Sequence, residues 1–164
     1  MAGVRSKGGL EGRAVLVTGG GTGIGRACAA QLAADGAEVT IVGRTASKLE
    51  DAAKRIAEVA AFGGSVQWLV ADVTSEDDVQ RAIAKTHAGA GRLDGVVANA
   101  GGGGALVPLH LQDTQEFLRV LHLNVLSTFL CVKHSVPRLV AAGGGSFVGM
   151  SSIAGGQTHP YFGA

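Results

Sequence analysis

Short apolar runs alternate five times with stretches of helical periodicity, and this alternation limits the fold more than any other property of the 164 residues. Residues 13–18 (RAVLVT) are β-branched, apolar and end in glycines, as a strand buried on both faces does. Runs of the same kind cover residues 38–42, 66–71, 93–98 and 146–150. Helical patterns fill the intervals at residues 24–34, 46–61, 75–87 and about 113–142. Such alternation dictates an α/β protein: a doubly wound parallel sheet with right-handed crossovers and helices on both faces.

Local signals agree with these bounds. Ala27, Ala30 and Ala34 are small enough to let the first helix lie close to a sheet, and Gly36 closes it. Thr45 or Ser47 opens the second helix, and Ser75 with Asp78 three residues on caps the third. The fourth carries Phe117, Leu118, Leu121, Val125, Phe129 and Val132, with a kink expected at Pro137. Residues 1–10 read as a flexible tail and residues 11–164 as one domain, without repeat or linker. A composition 46% apolar and 16% charged is globular rather than disordered. A net charge of +1 offers no field to nucleic acid or to an anionic membrane. No run is long enough to span a bilayer, and the first residues lack the apolar core of a secretion signal. Cys28 and Cys131 fit small hydrophobes in a reducing cytoplasm, and no metal is expected.

The run TGGGTGIG, Thr18 to Gly25, stands where the first strand turns into the first helix. In a chain with 27 glycines the string alone is weak; its setting gives it force. Backbone N–H groups and the positive end of a helix face an anion at such a turn, and glycines let a pyrophosphate approach without meeting a Cβ. The spacing is G-x-x-x-G-x-G at Gly19, Gly23 and Gly25, enclosing Gly21, Thr22 and Ile24. A P-loop would need Lys-Ser/Thr after its last glycine, and Arg26-Ala27 stands there instead. A methyltransferase would want an acid after the second strand, where the chain reads Gly43-Arg44. The same pair favours NADP over NAD: Gly43 leaves room and Arg44 supplies a cation for a 2′-phosphate, though NAD remains possible.

These motifs, with four more in order, resemble the classical short-chain dehydrogenase/reductase family. Asp72-Val73 after the third strand is similar to the pair that holds the adenine ring. Asn99-Ala100-Gly101 after the fourth is similar to the family's Asn-Ala-Gly motif. Asn124 within the long helix matches the catalytic asparagine, and Ser152 of Ser151-Ser152 the catalytic serine. The resemblance runs from about Leu10 to the end of the chain. It implies a Rossmann-type sheet in the order 3-2-1-4-5, and hydride transfer between a nicotinamide cofactor and a carbonyl or alcohol. It also implies cofactor contacts from the glycine loop, Arg44, Asp72, Val73 and Asn99 to Gly101, and a homo-oligomer for the full-length member.

The pattern departs from the family at its end. The family's Tyr-x-x-x-Lys places its tyrosine about thirteen residues after the serine, which from Ser152 is position 165, one beyond Ala164. Tyr161 is then a substrate-loop residue upstream of it, and the family's last two strands also lie beyond. The leading reading is an NADP-preferring oxidoreductase in a C-terminally incomplete form. Its alternative is a non-catalytic NAD(P)-binding module or an inactive truncated fragment of such an enzyme.

Overall fold

The computed structural model describes residues 8–157 and Tyr161; the remainder of the expected tail at residues 1–7, and residues 158–160 and 162–164, lie outside the described residues. Five parallel strands form one sheet in the order β3-β2-β1-β4-β5, as expected. They are β1 (Ala14–Thr18), β2 (Glu38–Gly43), β3 (Ser65–Val70), β4 (Gly95–Ala98) and β5 (Ser146–Gly149). Every residue of β1 is buried, because β2 and β4 flank it and helices cover both faces. Val15 pairs with Val39 on one side and Gly95 on the other; β5 continues the sheet with Ala98 opposite Gly149.

The pleat sends alternate β1 residues to opposite cores. Val15 and Val17 meet Val39, Ile41, Ala29, Ala33, Leu49 and Ile56 beneath α1 (Gly23–Ala34) and α2 (Ala46–Ala57). Leu16 meets Val42, Val79, Ile83, Leu93, Leu130 and Leu139 beneath α3 (Glu76–Ala90) and the final long helix. The fully buried face of α1 is Gly25, Ala29 and Ala33 at i, i+4, i+8; of the expected residues Ala30 packs partly against this core, Ala34 is half-buried and Ala27 is exposed. Cys131 is buried, and the burial pushes its thiol up to about 11, as a small core hydrophobe requires; Cys28 is half-buried.

Helix ends differ from the sequence bounds for identifiable reasons. The second helix stops at Ala57 rather than residue 61, and the chain then reverses through Phe62 and Gly63, both at positive φ (52° and 83°). There the Ala61 amide turns to the Ala33 carbonyl of α1 instead of continuing the helix. The third helix extends to Ala90, where Gly91 in the left-handed region ends it; Ser75 Oγ accepts the Asp78 N–H as expected.

The long helix is not one uniform α-helix. It runs as α4 (Thr114–Leu121), a π turn (His122–Leu126) and α5 (Ser127–Ala141), with Pro137 inside α5. Side chains displace the helical ladder at the π turn. Asn124 Nδ2 donates to the Val120 carbonyl at 3.0 Å, Ser127 Oγ to Leu123 and Thr128 Oγ1 to Asn124. The Ser127 N–H then reaches back five residues to His122. One side of the helix buries Val120, Leu130, Cys131 and Leu139; the other exposes Leu121, Val125, Phe129, Val132, Val136 and Val140.

Candidate functional site

The crossover leaving β1 runs to β2 and the one leaving β3 returns to β4, so the chain diverges on either side of β1. Ligand crevices form at the carboxyl end of the strands at such a switch point. A cleft of about 230 Å³ opens there. Gly19, Gly21 and Thr22 line it from the β1–α1 turn, and Gly43, Arg44, Thr45, Lys48 and Leu49 from the β2–α2 turn. Ala71, Asp72 and Val73 follow from the end of β3, Ala100 and Gly101 from that of β4, and Leu123 from the π turn.

Both helices that begin at this cleft, α1 and α2, lack a side-chain cap at their N-termini. Thr22 and Thr45 make no side-chain capping bond, and neither α1 nor α2 has an acid in its first turn. By contrast, α3 and α4 begin elsewhere and carry acids in the first turn, and Ser75 and Asp113 cap them. Uncapped first-turn N–H groups with the positive end of the helix dipole suit a bound anion. Gly23, the first residue of α1, stands at φ +52° with open space where a Cβ would point, and it is not among the residues lining the cleft. The residues present therefore fit a dinucleotide whose pyrophosphate lies on this turn.

Not every expected contact faces the cleft. Gly25 is buried, and a Cβ there would collide with the Gly19 carbonyl and the Asn99 amide; it is glycine so that α1 packs against the loop. Gly19, at φ +65°, is held just as closely, its Cβ position 2.8 Å from Asn99 Nδ2. Asn99 itself turns inward: Nδ2 donates to the Thr18 carbonyl at 3.1 Å, while Thr18 Oγ1 accepts the N–H groups of Asn99 and Ala100, each at 3.0 Å. Asn99 and the buried Thr18 thus bind the β1 and β4 turns to each other, and Ile24 is exposed beside the loop. Asp72 Oδ1 accepts both the N–H (2.9 Å) and the hydroxyl (2.7 Å) of Thr74, which fixes the turn after β3.

Asn124 is exposed rather than buried, yet fully engaged. Besides Val120, Nδ2 donates to the Gly102 carbonyl at 2.8 Å, and Oδ1 accepts the Gly102 N–H at 3.0 Å. The π turn thereby holds the loop that continues from Gly101. Ser152 follows β5 at the same carboxyl edge of the sheet, where its Oγ accepts the Ala154 N–H at 3.2 Å. Tyr161 is exposed at φ +66° and is not among the residues lining the cleft. Thr18, Thr45, Lys48 and Leu123 were not expected from the sequence as site residues, Thr45 having been read only as a helix opener. Only Lys48 carried a signal: a cation four residues after Arg44 at the start of a helix, where cations are disfavoured. Among the described residues no group of three His, Cys, Asp or Glu side chains is placed to hold a metal, and no helix is long and apolar enough to cross a membrane.

Comparison with known proteins agrees with this architecture. The family model described as short chain dehydrogenase matches residues 13–164. A 2,5-dichloro-2,5-cyclohexadiene-1,4-diol dehydrogenase of Sphingobium indicum is 38% identical over 147 residues, covering 89% of this chain and 56% of that protein. A short-chain type dehydrogenase/reductase structure from Mycobacterium ulcerans superposes with a TM-score of 0.92 at 44% identity, over 94% of this chain and 56% of the other. Similar structures include an NAD+-bound xylitol dehydrogenase (TM-score 0.88, 30% identity, 94% and 58% covered). A metagenomic short-chain oxidoreductase in complex with NADP is also similar (0.86, 29%, 94% and 68%). The chain spans about half the length of the curated relatives it matches. With the glycine turn, the strand order and the family match in agreement, the chain belongs to the short-chain dehydrogenase family of oxidoreductases.

Proposed function

We propose that the protein is an NADP-preferring oxidoreductase acting on a small alcohol or ketone. The observation that carries this is the cleft at the β1/β4 switch point, with two uncapped helix ends opening onto it. The turn from Gly19 to Gly23 and the α1 terminus hold the pyrophosphate, Asp72 and Val73 the adenine, and Arg44 a 2′-phosphate. Gly25 and Asn99 serve the same site from behind, by fixing the loop's shape. The nicotinamide supplies hydride transfer to or from a carbonyl carbon.

Ser152 donates a hydrogen bond to the substrate oxygen, and Asn124 fixes the π turn and the loop beside it. A proton donor and the group that tunes it come from the Tyr-x-x-x-Lys segment expected from position 165 onward. The exposed stripe from Leu121 to Val140 is the surface of a homo-oligomer in the full-length protein. The relatives' names as dehydrogenases and reductases support the reaction class. The test is NADPH absorbance with a panel of ketones and aldehydes in the full-length protein and in Ser152→Ala. Turnover that falls at least a hundredfold in the variant supports the role of Ser152. Absence of turnover with every carbonyl, and with every alcohol plus NADP+, contradicts the proposal.

A further inference from the structure

We propose that Arg119 is a positioning residue for the reacting half of the cofactor: locked by Glu116, it holds from behind the four-glycine loop that leaves β4. This rests on the reading of the cleft as a dinucleotide site.

The loop cannot hold itself. Residues 101–104 are glycine throughout, a stretch with no side chains and the largest loss of backbone freedom on ordering. Among the described residues these four make no hydrogen bond to other backbone groups. Their polar partners come from the helix opposite. Asn124 of the π turn takes both backbone groups of Gly102, and Arg119 Nη2 donates to the Gly103 carbonyl at 3.3 Å. Gly104 lies tight against α4: a Cβ there would stand 3.0 Å from Val120 Cγ2 and 3.5 Å from Glu116 Oε1. The Gln112 amide is also near, its Nε2 3.7 Å from that position. Its buried polar atoms find no partner among the described residues, so it adds no hydrogen bond to the loop.

Arg119 is itself fixed. Its Nε and Nη2 donate to Glu116 Oε2 and Oε1, each at 2.7 Å, one turn earlier in α4. This two-point fork sets the guanidinium plane and leaves Nη2 spanning from Glu116 to the Gly103 carbonyl. An exposed pair of this kind adds little to stability by itself. Its effect is on the loop, and the loop begins in the cleft, where Gly101 and Ala100 form part of the wall. In the sheet β4 lies between β1 and β5, on the side of Ser152 and away from Asp72 at the end of β3. A displaced loop therefore disturbs the nicotinamide half and spares the adenosine half. Arg119 also borders a hollow beside Asp72 and Thr74, so a direct contact with the adenosine half is the competing arrangement.

The test measures calorimetric binding to the full-length protein and to Arg119→Met and Arg119→Lys. The ligands are whichever of NADPH and NADH binds more tightly, and the matching adenosine half, 2′,5′-ADP or 5′-ADP. Arg119 is exposed, and methionine keeps its apolar stem without the donors. The expected result is about a tenfold loss of dinucleotide affinity in Arg119→Met, with the adenosine half changing by less than about twofold. Backbone amide order parameters at Gly103 and Gly104 should fall in the same variant. Arg119→Lys, which retains a donor for the Gly103 carbonyl, should recover most of the affinity. Equal weakening of the dinucleotide and its adenosine half would overturn the inference by placing Arg119 against the adenosine. Unchanged affinity for both would overturn it too, leaving the dinucleotide site intact. Failure of the unsubstituted protein to bind either cofactor would overturn the site reading and this inference together.

Discussion

Asn124 pairs with both backbone groups of Gly102, donating Nδ2 to its carbonyl at 2.8 Å and accepting its N–H on Oδ1 at 3.0 Å. One side chain thus ties the π turn of the long helix to the loop leaving β4, and a third bond to Val120 keeps it within its own helix. Asn124→Ala should release Gly102 while leaving the sheet in place. We expect faster hydrogen exchange at the Gly102 amide and a stability loss of about 1 kcal/mol, the value of exposed hydrogen bonds. Unchanged exchange at Gly102 would show that the loop is held by other means.

Asp94 anchors the opposite end of the sheet. It is nearly buried, which raises its pKa, but hydrogen bonds from Arg92, the Ala14 N–H and Arg13 outweigh the burial and bring it down to about 2. A carboxylate lowered in this way stabilises the fold fully above its ordinary value near 3.8. The contribution vanishes as pH falls through about 2. Asp94→Asn should therefore cost about 2 kcal/mol at neutral pH, and the gap should narrow below about pH 4 and close near pH 2. Denaturant melts of both proteins at pH 7 and pH 3 check this; a gap independent of pH would assign the effect to packing instead.

Gly23 meets open space where its Cβ would lie, but at φ +52°. Gly23→Val puts a branched side chain on the first residue of α1 and strains the turn by about 1–2 kcal/mol. The expected outcome is a folded protein that no longer binds either cofactor. Normal binding by a folded variant, judged by calorimetry alongside circular dichroism, would reduce the loop to a plain turn.

Much of this was legible in the sequence because burial writes itself into short stretches. Residues 14–17 are apolar throughout since β1 is covered on every side, and the strand order followed from the family resemblance. Ser75 and Asp78 announced a cap that the structure contains. The π turn was not legible: it arises because Asn124, Ser127 and Thr128 compete for backbone carbonyls, which apolar periodicity does not record. Nor were the inward roles of Gly25 and Asn99, which depend on how closely two distant turns approach.

In the proposed mechanism Ser152 polarises a carbonyl while Asn124 fixes the loop, and neither is a proton donor matched to an alkoxide near neutral pH. Residues 1–164 alone should therefore show negligible dehydrogenase activity, and a chain extended through Tyr-x-x-x-Lys should show it. Purifying both lengths and following NADPH absorbance decides the matter. Turnover by the shorter form that disappears in Tyr161→Phe would assign catalysis to Tyr161.

Titration of NADPH and NADH into the unsubstituted protein and Arg44→Asp tests the central claim, that the cleft between the β1–α1 and β2–α2 turns holds a nicotinamide dinucleotide. The unsubstituted protein should bind both, NADPH at least about tenfold more tightly, and Arg44→Asp should reverse the order by replacing a phosphate partner with a hydroxyl acceptor. Binding of neither cofactor would contradict the site. NADH binding as tightly as NADPH before substitution would contradict the role given to Arg44.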